Sequence, residues 1–239
     1  MSDILTIHNL TKRYGDKLAV DNLSLTVSAG DICGFIGHNG AGKTTTLRAV
    51  AGILDFDQGE IMIEGLSIRS DPVACKQRLA FLPDNPALYD FLTGVQYLAF
   101  IADVYRVPGA EREERVRRYA DLLELSADLG GLISSYSHGM KQKLAVISAL
   151  LHRPRLLLLD EPFVGLDPQA SFRLKEAMRQ LCEEGSAILF STHVLEVAEK
   201  LCSRIAIIKQ GKLMADGPTE QVRGDSSLEQ VFLEVLQDA

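Results

Sequence analysis

Polar and apolar positions follow two rhythms along this chain. Over residues 4–35 they alternate at short spacing. Leu5-Thr6-Ile7, Leu18-Ala19-Val20 and Leu23-Ser24-Leu25-Thr26-Val27 predict short antiparallel strands with one buried face. Tyr14-Gly15-Asp16 and Ser28-Ala29-Gly30-Asp31 carry the turn residues between them. Gln58-Gly59 predicts a break before the strand Glu60–Ile63. Further on, Leu79–Leu82, Leu156–Leu159, Ala187–Phe190 and Ile205–Ile208 are short apolar runs, and a strand apolar on both faces belongs inside a parallel sheet. Helical patterns alternate with these runs, one starting at Ser70-Asp71-Pro72 with proline in the first turn.

From Thr93 to about His152 the pattern is helical throughout, with Val95, Leu98, Ile101 and Tyr105 at helical spacing. Within it, Glu111–Arg115, Glu113–Arg117 and Glu114–Arg118 are i,i+4 pairs with the acid first, the mark of a solvated helix face. Near the end, Ser226-x-x-Glu229 reads as a capping box. The helix behind it carries Leu228, Val231, Phe232, Val235 and Leu236 on one face. The expected fold is therefore α/β: a mainly parallel sheet, an N-terminal antiparallel β region, and an all-helical subdomain inserted at approximately 87–153. Without a Gly/Ser-rich linker or an internal repeat, 1–239 reads as one domain.

Composition narrows the function. Of 239 residues 46% are hydrophobic and 24% charged, ordinary for a globular protein. The net charge of −7 and the lack of a basic cluster argue against binding nucleic acid. Cys33, Cys75, Cys182 and Cys202 form no C-x-x-C pair and read as buried thiols in a reducing compartment. No apolar window approaches membrane-spanning length and the first residues lack a secretion pattern. A cytoplasmic protein is expected, reaching a membrane only through a partner.

The chemistry begins at Gly37-His38-Asn39-Gly40-Ala41-Gly42-Lys43-Thr44-Thr45. It follows the apolar strand Ile32–Ile36 and leads into a helix, the context that gives G-x-x-x-x-G-K-[ST] its meaning as a phosphate cradle. Glycines let the backbone aim its N–H groups inward, the helix start adds its positive dipole end, and Lys43 reaches the outer phosphates. Thr44 offers a hydroxyl to Mg²⁺. Asp160 and Glu161 follow the apolar run Leu156–Leu159. At that strand end Asp160 is suited to hold Mg²⁺ and Glu161 to polarise a water. A second helix opens at Ser137-His138-Gly139-Met140-Lys141-Gln142, with Ser137 as its cap and an anion-accepting N-terminus.

Taken together, these elements resemble the nucleotide-binding subunit of ATP-binding cassette (ABC) transporters over almost the whole chain, in a form similar to exporter-type cassettes. The resemblance implies a P-loop NTPase core, ATP and Mg²⁺ as ligands, and ATP hydrolysis that powers transport. It places Tyr14 against adenine, Gly37 to Thr45 around the phosphates, and Asp160 with Glu161 as metal ligand and catalytic glutamate. Gly165-Leu166-Asp167 resemble the D-loop, and Ser191-Thr192-His193 end on the switch histidine, His193, which the resemblance places against the γ-phosphate as a catalytic residue with Glu161 and Lys43. Ser137 to Gln142 resemble the signature sequence, which acts on the nucleotide of a second cassette. The implied partners are that cassette, identical or related, and a membrane permease docking between Asp84 and the helices around Thr93–Tyr105. One position departs from the family: Asp84 stands where a glutamine is usual, so its Mg²⁺ role is open. A soluble assembly switch in translation or DNA maintenance, and a non-hydrolysing nucleotide-binding regulator, are the alternatives.

Overall fold

The computed structural model describes residues 2–237. Two sheets and the helices around them form three layers. The first sheet is antiparallel, in the order β2 (Lys17–Ser28), β1 (Asp3–Tyr14), β4 (Gln58–Ile63), β5 (Leu66–Ser67). The three short strands expected at the N-terminus are two long ones. Register shifts between Ile7 and Lys12 let β1 bend and keep pairing with β2. The break expected at Gln58-Gly59 lies inside β4: Thr11 pairs with Gln58 across another register shift. Gly59, at φ +97°, fits there because a Cβ would lie 2.5 Å from the His8 carbonyl oxygen.

The second sheet runs β10 (Lys212–Pro218), β9 (Arg204–Lys209), β3 (Ile32–Ile36), β8 (Ala187–Thr192), β7 (Leu156–Asp160), β6 (Leu79–Leu82). All neighbours are parallel except the hairpin β9–β10. Strand pleating sorts its side chains. Ile36, Leu157, Leu159, Ile188, Phe190, Ile205 and Ile207 face one core, under α3 (Gly94–Val104), α5 (His138–Leu150) and α6 (Pro168–Glu183). Phe35, Leu156, Leu158, Leu189, Ala206 and Ile208 face the other, with α1 (Lys43–Val50) and the antiparallel sheet. That two-sided burial is why these runs carry no polar alternation.

The segment between β6 and β7 is less helical than its pattern predicts. After α3 and α4 (Gly109–Leu122), residues 123–137 are mostly turns, with one short 3₁₀ segment before α5. Tyr136 stabilises this loop by donating its hydroxyl to the Asp128 carbonyl at 2.6 Å. The buried face of α3 is Tyr97, Leu98 and Ala102, whereas Val95 is exposed. Of the three expected pairs on α4, Glu111–Arg115 forms an ion pair. At the C-terminus Ser227, rather than Ser226, caps α9 (Leu228–Gln237) by accepting from Gln230 N at 3.2 Å. Leu228 is buried, and Val231, Phe232 and Val235 pack on the core beside it; the side chain of Leu236 lies outside the described part. All four cysteines are buried free thiols. Among the described residues no helix is long and apolar enough to cross a membrane.

Candidate active site

Strand register brings the candidate residues together. In the parallel sheet Ile36 lies opposite Thr192 and Asp160 opposite Ser191. The carboxyl ends of β3, β8 and β7 therefore finish level, at the edge where open α/β sheets hold ligands. A cleft of about 320 Å³ opens there. Tyr14, Asn39, Gly40, Gly42, Lys43, Thr44, Thr45, Asp84, Asp160 and Glu161 line it, joined by Lys17 and Ala19, which the sequence did not single out.

The loop from Gly37 to Gly42 closes on its own lysine. Lys43 Nζ donates to the carbonyls of Gly37 (2.6 Å) and His38 (3.2 Å). That uses two of three ammonium N–H groups and leaves the third for an oxygen in the cleft. Gly42 precedes α1 at φ +109°, and a Cβ there would lie 2.5 Å from the Ala19 carbonyl oxygen. Only glycine lets the loop pass so close to the first sheet. Burial lowers the Lys43 pKa, although Glu161 and Asp160 act in the opposite direction.

Asp160 is buried and held from two sides. Thr44 Oγ1 donates to its Oδ2 at 2.7 Å, and Ser191 Oγ donates to its Oδ1 at 2.5 Å. A hydroxyl and a carboxylate in contact beside the glycine loop could hold Mg²⁺, which takes one or two protein oxygens together with oxygens of a phosphate ligand. No three-residue cluster of His, Cys, Asp or Glu suited to a metal occurs among the described residues. Asp84 reaches the same cleft, exposed, with its Oδ1 accepting from Asn85 N at 2.9 Å.

Glu161 leaves the strand in the left-handed region, at φ +49°. The turn is secured by Glu161 N, which donates to the hydroxyl (3.1 Å) and carbonyl (3.2 Å) of Ser191. For a non-glycine residue such backbone costs on the order of 1–3 kcal/mol, and here it aims the carboxylate into the cleft. His193 Nδ1–H donates to Glu161 Oε1 at 2.9 Å. Ser191 thus positions both acids. The sequence placed it beside His193 but left it without a role, because its contacts depend on pairing between β7 and β8.

The second helix start lies elsewhere. None of Ser137, His138, Gly139, Met140, Lys141 or Gln142 lines the cleft that holds Lys43. Ser137 Oγ caps α5 by accepting from Met140 N at 3.3 Å, and Ser137 and His138 are exposed. Lys141 pairs with Asp90 at 2.7 Å. Gln142 is fully buried, so it sits inside the fold and not on the face that Ser137 and His138 present. Asp167 caps α6, accepting from Ala170 N at 2.8 Å.

A glycine loop folded around its lysine, facing acids across a parallel sheet, defines the class: a P-loop nucleoside triphosphatase fold. Within that class the chain belongs to the ABC transporter family, whose model matches residues 20–164. The linearmycin resistance ATP-binding protein LnrL of Bacillus subtilis (strain 168) is 35% identical over 90% of this chain and 69% of its own. A solved structure of the ATP binding subunit of an ABC transporter superposes with a TM-score of 0.94 at 32% identity, covering 98% of this chain and 99% of that one. The ATP-binding cassette MJ0796, in a dimeric post-hydrolysis state bound to ADP and Pi, shares the fold with a TM-score of 0.81 at 23% identity, covering 90% and 98%.

Proposed function

We propose that this chain is the ATP-hydrolysing subunit of a transporter, a single cassette with an inserted helical subdomain that works in pairs beneath a separate membrane permease. The observation that carries the reading is the separation of two anion-accepting helix starts. Lys43, Thr44 and α1 form one in the cleft, while Ser137 starts the other outside it. A second copy or a related cassette supplies what each cleft lacks. The dimeric ADP-bound relative of the same fold supports this pairing.

In this reading Tyr14, half exposed at the cleft's edge, stacks on adenine. Gly37, His38, Asn39, Gly40, Ala41, Gly42 and Thr45 surround the phosphates with backbone N–H groups. Thr44 and Asp160 hold Mg²⁺, which supplies charge neutralisation at the phosphate oxygens when bound. Lys43 balances the charge that develops on the outer phosphate. Glu161 takes the proton of the attacking water, and His193 holds the Glu161 carboxylate in position. Asp84 lines the same cleft and in this reading would hold a metal-bound water. Replacing it with alanine is expected to raise the Mg²⁺ concentration for half-maximal hydrolysis several-fold while leaving nucleotide affinity near the parent value. A magnesium titration of ATPase activity checks this.

The permease docks at a second opening of about 320 Å³, whose lining includes Pro83, Pro86, Leu88, Tyr97, Ile101 and Tyr105. Exposed Tyr89, Phe91 and Phe100 form an aromatic cluster, and Tyr89 also contacts the groove residue Tyr97. An apolar groove of this kind suits a short helix from a membrane subunit. Purifying the chain from detergent-solubilised membranes is expected to bring down an integral membrane protein. Recovery with ribosomes instead would overturn the transport reading.

A further inference from the structure

Lys12 and Tyr14 are two apart on β1, so their side chains leave the same face of the strand. Lys12 Nζ lies over the Tyr14 ring, 5.4 Å from its centroid, within the range at which a cation is attracted to an aromatic face. Tyr14 lines the cleft and Lys12 does not. The cation therefore occupies the face of the ring turned away from the cleft. Among the described residues Tyr14 is the one aromatic ring lining that cleft. It is half exposed and stands at the end of β1, paired with Lys17 across the turn. The Lys12 side chain, in contrast, is only 14% exposed.

Asp57, just before β4, fixes where the ammonium lies. Its Oδ1 is 3.8 Å from Lys12 Nζ, and its Oδ2 accepts from Arg13 N at 2.6 Å. Its own N–H donates to the Thr11 carbonyl at 2.9 Å. Asp57 is thus fastened to the backbone on both sides of Lys12. Its side chain is 45% exposed, so the ion pair adds little to stability. What the pair supplies is direction, keeping the lysine over the ring.

We infer that Lys12 is a positioning residue for base binding: steered by Asp57, it holds the Tyr14 ring in the pose that receives a purine on its free face. This rests on the assignment of Tyr14 to adenine above and adds what orders the ring. A half-exposed tyrosine at a strand end loses rotamer freedom when a base settles on it, and that loss weakens binding. With a cation on its far face, the ring is already ordered before the nucleotide arrives. The gain is confined to the base, because Lys12 lies outside the cleft that holds the phosphates.

The test compares ATP with tripolyphosphate, which carries the phosphates without the base, by calorimetric titration of the purified full chain in Mg²⁺. Lys12→Met keeps the apolar stem and removes the charge. Its ATP affinity is expected to fall roughly three- to tenfold, with tripolyphosphate affinity within about twofold of the parent. Lys12→Arg keeps a cation over the ring and should bind ATP within about twofold of the parent. Tyr14→Ala sets the full loss of the base contact, and adding Lys12→Met to it should lower ATP affinity no further. Unchanged ATP affinity in Lys12→Met overturns the inference. So does an equal loss for tripolyphosphate, which would make Lys12 a distant charge acting on the phosphates. An equal loss in Lys12→Arg, or a further loss in the double variant, overturns it as well. If Tyr14→Ala itself leaves ATP affinity unchanged, the assignment of Tyr14 to adenine fails, and this inference with it.

Discussion

Replacing Glu161 with glutamine slows ATP hydrolysis by about 10²- to 10⁴-fold, the usual contribution of a positioned general base, and leaves ATP bound. The substitution preserves shape. The amide oxygen can still accept from His193 Nδ1, which lies 2.9 Å from the carboxylate now, and the backbone hydrogen bonds to Ser191 do not involve the side chain. What disappears is the capacity to take a proton from water. Because Lys43, Thr44 and Asp160 are untouched, affinity should change little. The ATP-bound pair, no longer released by turnover, should accumulate. Single-turnover hydrolysis and gel filtration with ATP check both halves. Turnover at the parent rate would remove Glu161 from its proposed role.

Lys43→Ala has the opposite signature, with nucleotide affinity lost and the protein intact. A charge-assisted hydrogen bond contributes about 1.5–3 kcal/mol, so affinity should fall roughly ten- to a hundredfold, measurable by fluorescent-ATP titration. Protein stability should not fall with it. Burial depresses the folded-state pKa of Lys43 below its ordinary 10.5. The unfolded chain therefore holds this proton more tightly. At neutral pH the buried charge opposes folding, and the opposition fades as pH rises from the lowered folded value toward the ordinary one. Lys43→Met, which keeps the apolar stem without the charge, should show an unchanged or higher Tm without nucleotide, together with the loss of nucleotide-induced stabilisation. In the parent, ATP affinity should weaken as pH rises through the folded pKa, because the neutral amine no longer attracts phosphate.

Legibility in the sequence followed the range of the interactions. The setting of the glycine loop was readable, since Gly37 to Thr45 are nine consecutive residues with a strand before and a helix after, as the structure has them. The parallel strands were equally plain, because burial on both faces leaves an apolar run. The break placed at Gln58-Gly59 was wrong, because glycine at a bulge looks the same in sequence as glycine in a turn. The helical reading of 123–137 failed for a related reason: hydrogen bonds such as Tyr136 to Asp128 hold a loop that no periodicity announces.

The identity and order of the chemical groups were local matters. Gly42 before Lys43, Ser137 before α5 and Asp167 before α6 act on backbone within a few residues, so neighbouring side chains suffice to specify them. Which groups touch was settled by strand register and helix packing. Ser191 reaches Asp160 across 31 positions, Thr44 reaches it across 116, and Lys143 meets Asp167 from another element. Those contacts exist because buried apolar strands align side by side, and no short-range pattern encodes that alignment.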